Sequence, residues 1–251
     1  MRTELYTAQK VRRRTVVSFV VFFLLFAAGW VLFSRLYHSQ RAENDAQIIP
    51  GLRMVAKMNS RIFRKTFSPT HLSKTYPLSA AVKNVRVNGG YGLDGIADTA
   101  TWKLAVVRGA GDTLRLSLAD IKALPKTEEV FDFKCIEGWD QVTHWGGVRF
   151  SDFVKFYHLD AQAAAKYIGL VTPDGGYYVG IDRESALHPQ TLLCYEMNGK
   201  PLPQNQGFPL RLIIPVKYGV KHLKRIGTLY FSNTPPPDYW AEQGYDYYSG
   251  L

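Results

Sequence analysis

The chain has 251 residues, 14% of them aromatic, only two cysteines and a formal net charge of +10. Two cysteines far apart in sequence exclude a disulfide scaffold, and the aromatic content argues for a packed body rather than a disordered chain. Met1–Arg14 carries five basic residues and one acidic, and the remaining +6 is spread over 237 residues, too thinly to make nucleic acid a partner.

In chain order, Thr15–Phe33 is a run of 19 residues without a charge. At about 1.5 Å per residue it nearly matches a hydrocarbon core of about 30 Å, and Trp30 suits an interfacial position. Arg2, Lys10, Arg12, Arg13 and Arg14 precede the run, and only Arg35 and Arg41 closely follow it. That asymmetry predicts a single-pass cell-membrane protein with a cytoplasmic N-terminus and a periplasmic or extracytoplasmic body. The length favours a retained anchor over a cleaved signal, although Ala27-Ala28-Gly29 would suit a cleavage site. Arg13-Arg14-Thr15-Val16-Val17 resembles a twin-arginine export signal as much as a plain basic flank. The organisation read from this is a basic tail at 1–14, a transmembrane anchor or signal at 15–33, a linker at 34–57 and one large domain at 58–251.

Within that domain, Lys65–Pro77 is loop-like, and Val85-Arg86-Val87-Asn88-Gly89-Gly90 ends in a turn signal. Trp102–Val107 and the alternating Leu114, Leu116 and Leu118 read as strands. Ser117 with Asp120 predicts a capping box. Val130–Phe133 reads as a strand leading to Cys135, with a sharp turn at Gly138, walls from Trp139 and Trp145, and a close backbone approach at Gly146-Gly147. Ser151 is the expected N-cap of a short helix through Phe156. Lys166–Val171 and Tyr177–Ile181 are strands around Pro173-Asp174-Gly175-Gly176, and Leu192–Met197 is a strand closed by the hairpin pair Asn198-Gly199. Leu210–Pro215 and Ile226–Phe231 complete an α+β, sheet-rich set.

Two constellations carry chemistry. Cys135 at a strand end is either a soft metal ligand or nucleophile, or a small buried hydrophobe. Arg211, Lys217, Lys221, His222, Lys224 and Arg225 form a donor-rich run suited to a phosphate, or else a solvated basic face. Cys194, inside an apolar strand pattern, reads as core. His144 reads as a loop histidine, and no pair with Cys135 shows zinc spacing.

Together these blocks resemble the sulfite oxidase superfamily of molybdopterin-binding oxidoreductases. The resemblance covers about Asn84–Tyr245 and is densest in YEMNGKPLPQNQGFPLRLIIPVKYGVKHLKRI from Tyr195; ALHPQTLL from Ala186 and WGGVRF from Trp145 also fit. It implies a sulfite-oxidase-type fold and a molybdenum-molybdopterin cofactor with Cys135 as the metal ligand. It implies pterin-phosphate contacts at Arg211 and Lys224, with His222 and Leu223 in the same loop, where backbone groups also contribute. Gln206 stands where the family usually has His or Asn, Thr172 aligns with a cofactor contact of one branch, and Arg86 and Asn88 loosely match a cofactor-side segment. Tyr239 aligns, across a gap, with the active-site tyrosine, while Tyr177 and Tyr178 read equally as core aromatics.

The residues after the cysteine, Ile136-Glu137-Gly138-Trp139, depart from the Ala-Gly-Asn-Arg type of sulfite oxidases and are similar to the branch of the periplasmic methionine sulfoxide reductases. An inward Glu137 would weaken an anion site; an outward one would be solvated. The resemblance implies a membrane-anchored oxidoreductase acting on a small S- or N-oxide, sulfoxide-reductase-like, with a cytochrome-type electron partner. The C-terminal dimerisation domain and the haem domain of sulfite oxidases are missing from this pattern, which suggests a monomeric catalytic unit. A sulfite-dehydrogenase-like oxidation is the alternative enzyme, and a cofactor-free binding or sensor module, prompted by Gln206, is the alternative class.

Overall fold

The computed structural model describes residues 8–42 and 50–251. Arg2 and the rest of 1–7 in the expected basic tail, and 43–49 of the expected linker, lie outside the described residues. Two units are distinguished, Met1–Ala56 and Lys57–Leu251.

In the first unit, α1 (Ala8–Ala42) contains one stretch, Lys10–Arg35, long and apolar enough to cross a membrane. The helix runs past the uncharged segment because neither Pro nor Gly interrupts Ser34–Ala42. A second helix, α2 (Pro50–Thr66), follows. Its opening proline sits in the first turn, where a missing N–H costs nothing. The stretch 34–57, expected as a linker, is therefore helical at both ends.

The second unit is built on two five-stranded sheets. Strands β1 (Leu104–Gly109) and β2 (Asp112–Leu116) form a hairpin. The capping box then closes on α3 (Leu118–Lys122): the Asp120 N–H donates to Ser117 Oγ at 3.2 Å and the Ser117 N–H to the Asp120 carboxylate at 2.7 Å. Strands β3 (Thr127–Lys134) and β4 (Asp140–Arg149) pair antiparallel, and two short helices, α4 (Phe150–Phe156) and α5 (Asp160–Ala163), follow. Next come β5 (Tyr167–Val171), β6 (Tyr178–Asp182), α6 (Arg183–Ala186), β7 (Leu192–Met197), β8 (Lys200–Pro201), β9 (Arg211–Ile213), β10 (Thr228–Ser232) and α7 (Tyr239–Glu242). One sheet has the order β2-β1-β10-β5-β6, in which β1 and β10 run parallel. The other has β3-β4-β7-β8, with β9 also pairing with β7.

The larger core cluster includes Leu104, Val106, Phe150, Phe153, Ile168 and Leu170. A smaller one, Phe131, Trp145, Leu192, Cys194, Leu202 and Ile213, lies within the β3-β4-β7 sheet, the sheet that carries the cysteine. Cys194 is fully buried in β7 opposite Arg211 of β9, as a core residue should be.

One local expectation is corrected and another is made specific. Ser151 is not the N-cap of α4. Strand β4 runs directly into the helix through Arg149, which caps it without a side-chain bond, because Phe150 and Phe153 are both drawn into the core. The close approach expected at Gly146-Gly147 occurs within β4, at a shift of register against β7. A Cβ on Gly147 would meet the Leu193 carbonyl oxygen at 2.2 Å, so the close approach is to the next strand rather than to a ligand.

Candidate active site

Strand β3 delivers Cys135 one residue beyond its end. The Cys135 N–H donates to Trp139 O (2.9 Å) and the Gly138 N–H to Cys135 O (3.0 Å), closing a turn that places Gly138 at φ +86°, a conformation that favours glycine. The thiol, 7% exposed, lines a cavity of about 350 Å³. Arg86, Asn88, Trp139, Trp145, Gln206, Arg211, His222 and Lys224 line the same cavity.

Burial pushes the Cys135 thiol above its ordinary pKa, and the Glu137 charge adds to this. A backbone hydrogen bond from Glu137, then the Asn88 amide donating to Sγ at 3.6 Å, then Arg86, pull the other way without overcoming it. The thiol is thus protonated at neutral pH, which does not suit an activated nucleophile. It does suit a soft ligand that loses its proton only when a metal takes the sulfur.

Arg211 opens β9 at the back of the cavity, 2% exposed, with its guanidinium 4.6 Å from the centre of the Trp145 ring. One terminal nitrogen donates to Gln206 O and Gln206 Oε1, both at 3.0 Å, while the buried Nε has no partner. Gln206 is occupied at both ends: its Nε2 donates to Arg86 O at 3.2 Å and to Val85 O at 3.4 Å. The side chain that stands in for the family's His or Asn therefore braces Arg211 against the Val85–Arg86 segment.

Lys224 donates to Asn88 O (2.6 Å), Gly89 O (3.0 Å) and Asn205 O (3.1 Å). Burial, followed by the nearby Arg211 charge, brings its pKa down to about 7. In the ligand-free protein it is charged below that value and neutral above it. Affinity for inorganic pyrophosphate, measured by titration calorimetry on cofactor-free protein, is therefore expected to fall as pH rises from 6 to 8.5. The predicted loss is about tenfold, since one favourable charge is removed. A flat profile would contradict this role for Lys224.

The basic run divides in the fold. Lys217 meets Asp182 at 2.8 Å and Lys221 pairs with Asp238, both deep in the body. Arg225 holds the carbonyls of Phe208, Asp94 and Gly95. Only Arg211, His222 and Lys224 of the six reach the cavity. His222 is not a cation there: burial, then Arg211, lower its pKa to about 3. Its Nδ1 accepts from the Ile214 N–H and its Nε2 donates to Lys217 O, consistent with a neutral ring that braces the loop.

Three expected contacts do not line the cavity. Leu223 is core, its N–H bonded to Lys221 O and its carbonyl to the Leu212 N–H, so neither backbone group is spare. Thr172 is 3% exposed and turns the β5–β6 hairpin, its hydroxyl donating to Asp174 at 2.6 Å. Tyr239 packs against Tyr91, the rings tilted with centroids 5.1 Å apart, and against Tyr177 with centroids 5.5 Å apart. Tyr177 lines the cavity with Tyr91 and Tyr245, but it is buried, its hydroxyl is committed to Val220 O at 2.6 Å and burial raises its pKa. The mouth residues Tyr91 and Tyr245, isolated aromatics outside helix and strand, had no sequence signal; Trp240 lies in α7 beside Tyr239.

Glu137 lines the cavity and accepts from Trp139 Nε1 at 3.1 Å. That bond, then one from Asn88, holds its carboxyl below the usual range, so it is negative at neutral pH.

The donor set fits a phosphate-bearing planar cofactor. A buried guanidinium has one nitrogen without a partner, the half-buried Lys224 amine stands close by, and neither is paired with a carboxylate among the described residues. Indole faces and a soft sulfur complete the walls.

The family described as oxidoreductase molybdopterin binding domain matches residues 92–240. A chain of Azospira oryzae named as a candidate protein-methionine-sulfoxide reductase subunit, YedZ1, is 34% identical over 209 residues, covering 82% of this chain and 79% of that one. Protein-methionine-sulfoxide reductase catalytic subunits MsrP from Ralstonia nicotianae and Campylobacter jejuni are each 31% identical, over 52% and 61% of this chain. The matched regions span 44% and 58% of their respective lengths. Among solved structures, the sulfane dehydrogenase SoxCD of Paracoccus pantotrophus aligns with a TM-score of 0.47 and 15% identity, over 67% of this chain and 47% of that chain.

Proposed function

Because this chain belongs to the oxidoreductase molybdopterin binding domain family, we propose that it is a membrane-anchored, molybdenum-cofactor-dependent reductase of sulfoxides, with protein-bound methionine sulfoxide as the substrate class. The observation that carries this is the meeting, in one cavity, of the Cys135 thiol with a buried guanidinium, Arg211, and a half-buried amine, Lys224, neither paired with a carboxylate among the described residues. The names of the relatives support the sulfoxide direction.

When bound, the cofactor supplies the two-electron oxygen-atom chemistry. The chain's own residues hold and shape it. Cys135 gives up its proton and provides the metal-ligating sulfur. Arg211 and Lys224 hold the phosphate, Arg211 kept in place by Gln206. Asn88 orients the sulfur. Trp139 and Trp145 exclude water from the walls. At the mouth, Tyr91, Trp240 and Tyr245 offer aromatic edges that suit a thioether-type side chain. Glu137 lines the cavity but is exposed to solvent, so its charge alone does not decide between a sulfoxide and a sulfite anion.

In this reading α1 is the anchor, with the N-terminus cytoplasmic and the domain at 58–251 in the periplasm after twin-arginine export. A cytochrome-type partner passes electrons singly to a monomeric catalytic unit. Protein purified from its own host is expected to contain molybdenum near one per chain, with pterin fluorescence. It should oxidise a reduced dye with methionine sulfoxide and not with sulfate. Protein lacking both metal and pterin would favour the cofactor-free module; turnover of sulfite with an oxidised dye and none of methionine sulfoxide would favour the dehydrogenase.

A further inference from the structure

Helix α2 has no role in the cavity, yet its composition is one-sided. Pro50–Thr66 contains no acidic residue, and Lys57, Arg61, Arg64 and Lys65 lie within its last ten positions. At about 100° per residue, Val55, Met58 and Ile62 fall within an arc of about 60°, with Arg61 and Lys65 along one edge and Phe63 on the other. The side of the helix turned to the body is polar: Ser60 bonds Asp246, and Arg64 lies 6.0 Å from the Tyr167 ring centre. The apolar side is left to solvent, with Met58 52%, Ile62 50% and Val55 43% exposed.

A helix that turns its polar face to its own domain and its apolar face outward is built for a surface that is apolar within and charged at its boundary. Charge and tether identify that surface. The basic edge, Arg61, Arg64 and Lys65, lines an open cavity of about 530 Å³ whose two carboxylates, Asp182 and Glu184, are already engaged by Lys217 and Arg183. Only residues 43–49 separate α2 from α1, which carries the apolar span. Seven residues reach at most about 25 Å, so α2 cannot stray far from the bilayer that α1 enters.

We infer that α2 lies in the membrane interface as an anionic-lipid-binding helix. Val55, Met58, Ile62 and Phe63 enter the headgroup–acyl boundary, and Arg61 and Lys65 contact lipid phosphates. The helix thereby sets the height and tilt of the catalytic body on the membrane. This goes beyond the proposed reaction and does not depend on it, but it rests on the reading of α1 as a membrane anchor.

The test uses the full chain reconstituted in vesicles of phosphatidylcholine alone or with one-third phosphatidylglycerol. A spin label is placed through Ile62→Cys, with Lys83→Cys on the body as a solvent-facing control and unsubstituted protein labelled in parallel to correct for Cys135 and Cys194. In the phosphatidylglycerol vesicles the label at 62 is expected to be more accessible to oxygen than to a water-soluble nickel chelate, with the reverse at 83. Raised salt or Arg61→Gln with Lys65→Gln should weaken the protection, each lost basic residue by about fivefold. Water-like accessibility at 62 in anionic vesicles would overturn the proposal. Equal protection in neutral vesicles would overturn its anionic-lipid part. Protection only in native membranes, and not in pure lipid, would assign the face to a membrane-protein partner instead.

Discussion

Substituting Arg211 by Leu is expected to yield protein that folds but is purified almost without pterin. Of the three side chains of the basic run that reach the cavity, the Arg211 guanidinium is the permanently charged one, since Lys224 hovers near pH 7 and His222 is neutral. Burial weakens even Arg211, to about 10, but leaves it charged at any pH the protein meets. Loss of one buried charged donor to a phosphate costs on the order of 3 kcal/mol, or roughly a hundredfold in affinity. Leucine also leaves Gln206 O and Oε1 without their donor, a stability cost of about 1–3 kcal/mol. Arg211→Lys separates the two effects, because it keeps the charge and loses the planar fork. It should recover part of the pterin content but not the full thermal midpoint. Pterin fluorescence after denaturation reads the first quantity and a melt of cofactor-free protein the second. Normal pterin content in Arg211→Leu would remove this residue from the binding set.

Cys135→Ser should behave in the opposite way, retaining pterin and losing turnover. Serine is nearly isosteric and the Asn88 amide can donate to its oxygen, so stability should change by less than about 1 kcal/mol. A hard hydroxyl that ionises with difficulty cannot replace a soft thiolate on a metal held by sulfur ligands. Activity with methionine sulfoxide is expected to fall at least about a hundredfold, with an altered metal spectrum. Metal content, pterin content and rate, measured on one preparation, distinguish this from a folding defect. Full activity would show that position 135 is not a ligand.

How much of this was readable along the chain differs from element to element. The hairpin at Asn198-Gly199 is present, with positive φ at both residues. So are the Ser117–Asp120 capping box and the strand Leu192–Met197 at its expected limits. Each is encoded within a few adjacent residues by turn chemistry or alternation, so a local reading suffices. Ser151 misled for the same reason: a favourable cap residue was outweighed by the pull of Phe150 and Phe153 into the core. In the basic run, adjacency suggested one phosphate loop. The fold instead commits Lys217 and Lys221 to buried carboxylates and Arg225 to carbonyls, because a buried cation without a ligand must find an internal partner.

By itself the sequence determined the apolar span, the sheet-rich class and the chemical candidates, a soft sulfur and a surplus of cationic donors. Those follow from composition, periodicity and residue type, which need no third dimension. Tertiary structure alone decided which cations face the cavity, that Gln206 is a brace, that Tyr239 stands behind the wall, and that the thiol is held protonated. Each depends on burial and on partners distant along the chain. Desolvation and hydrogen-bond pairing act through space, so they appear only once strands β3, β7 and β9 bring those residues to one place.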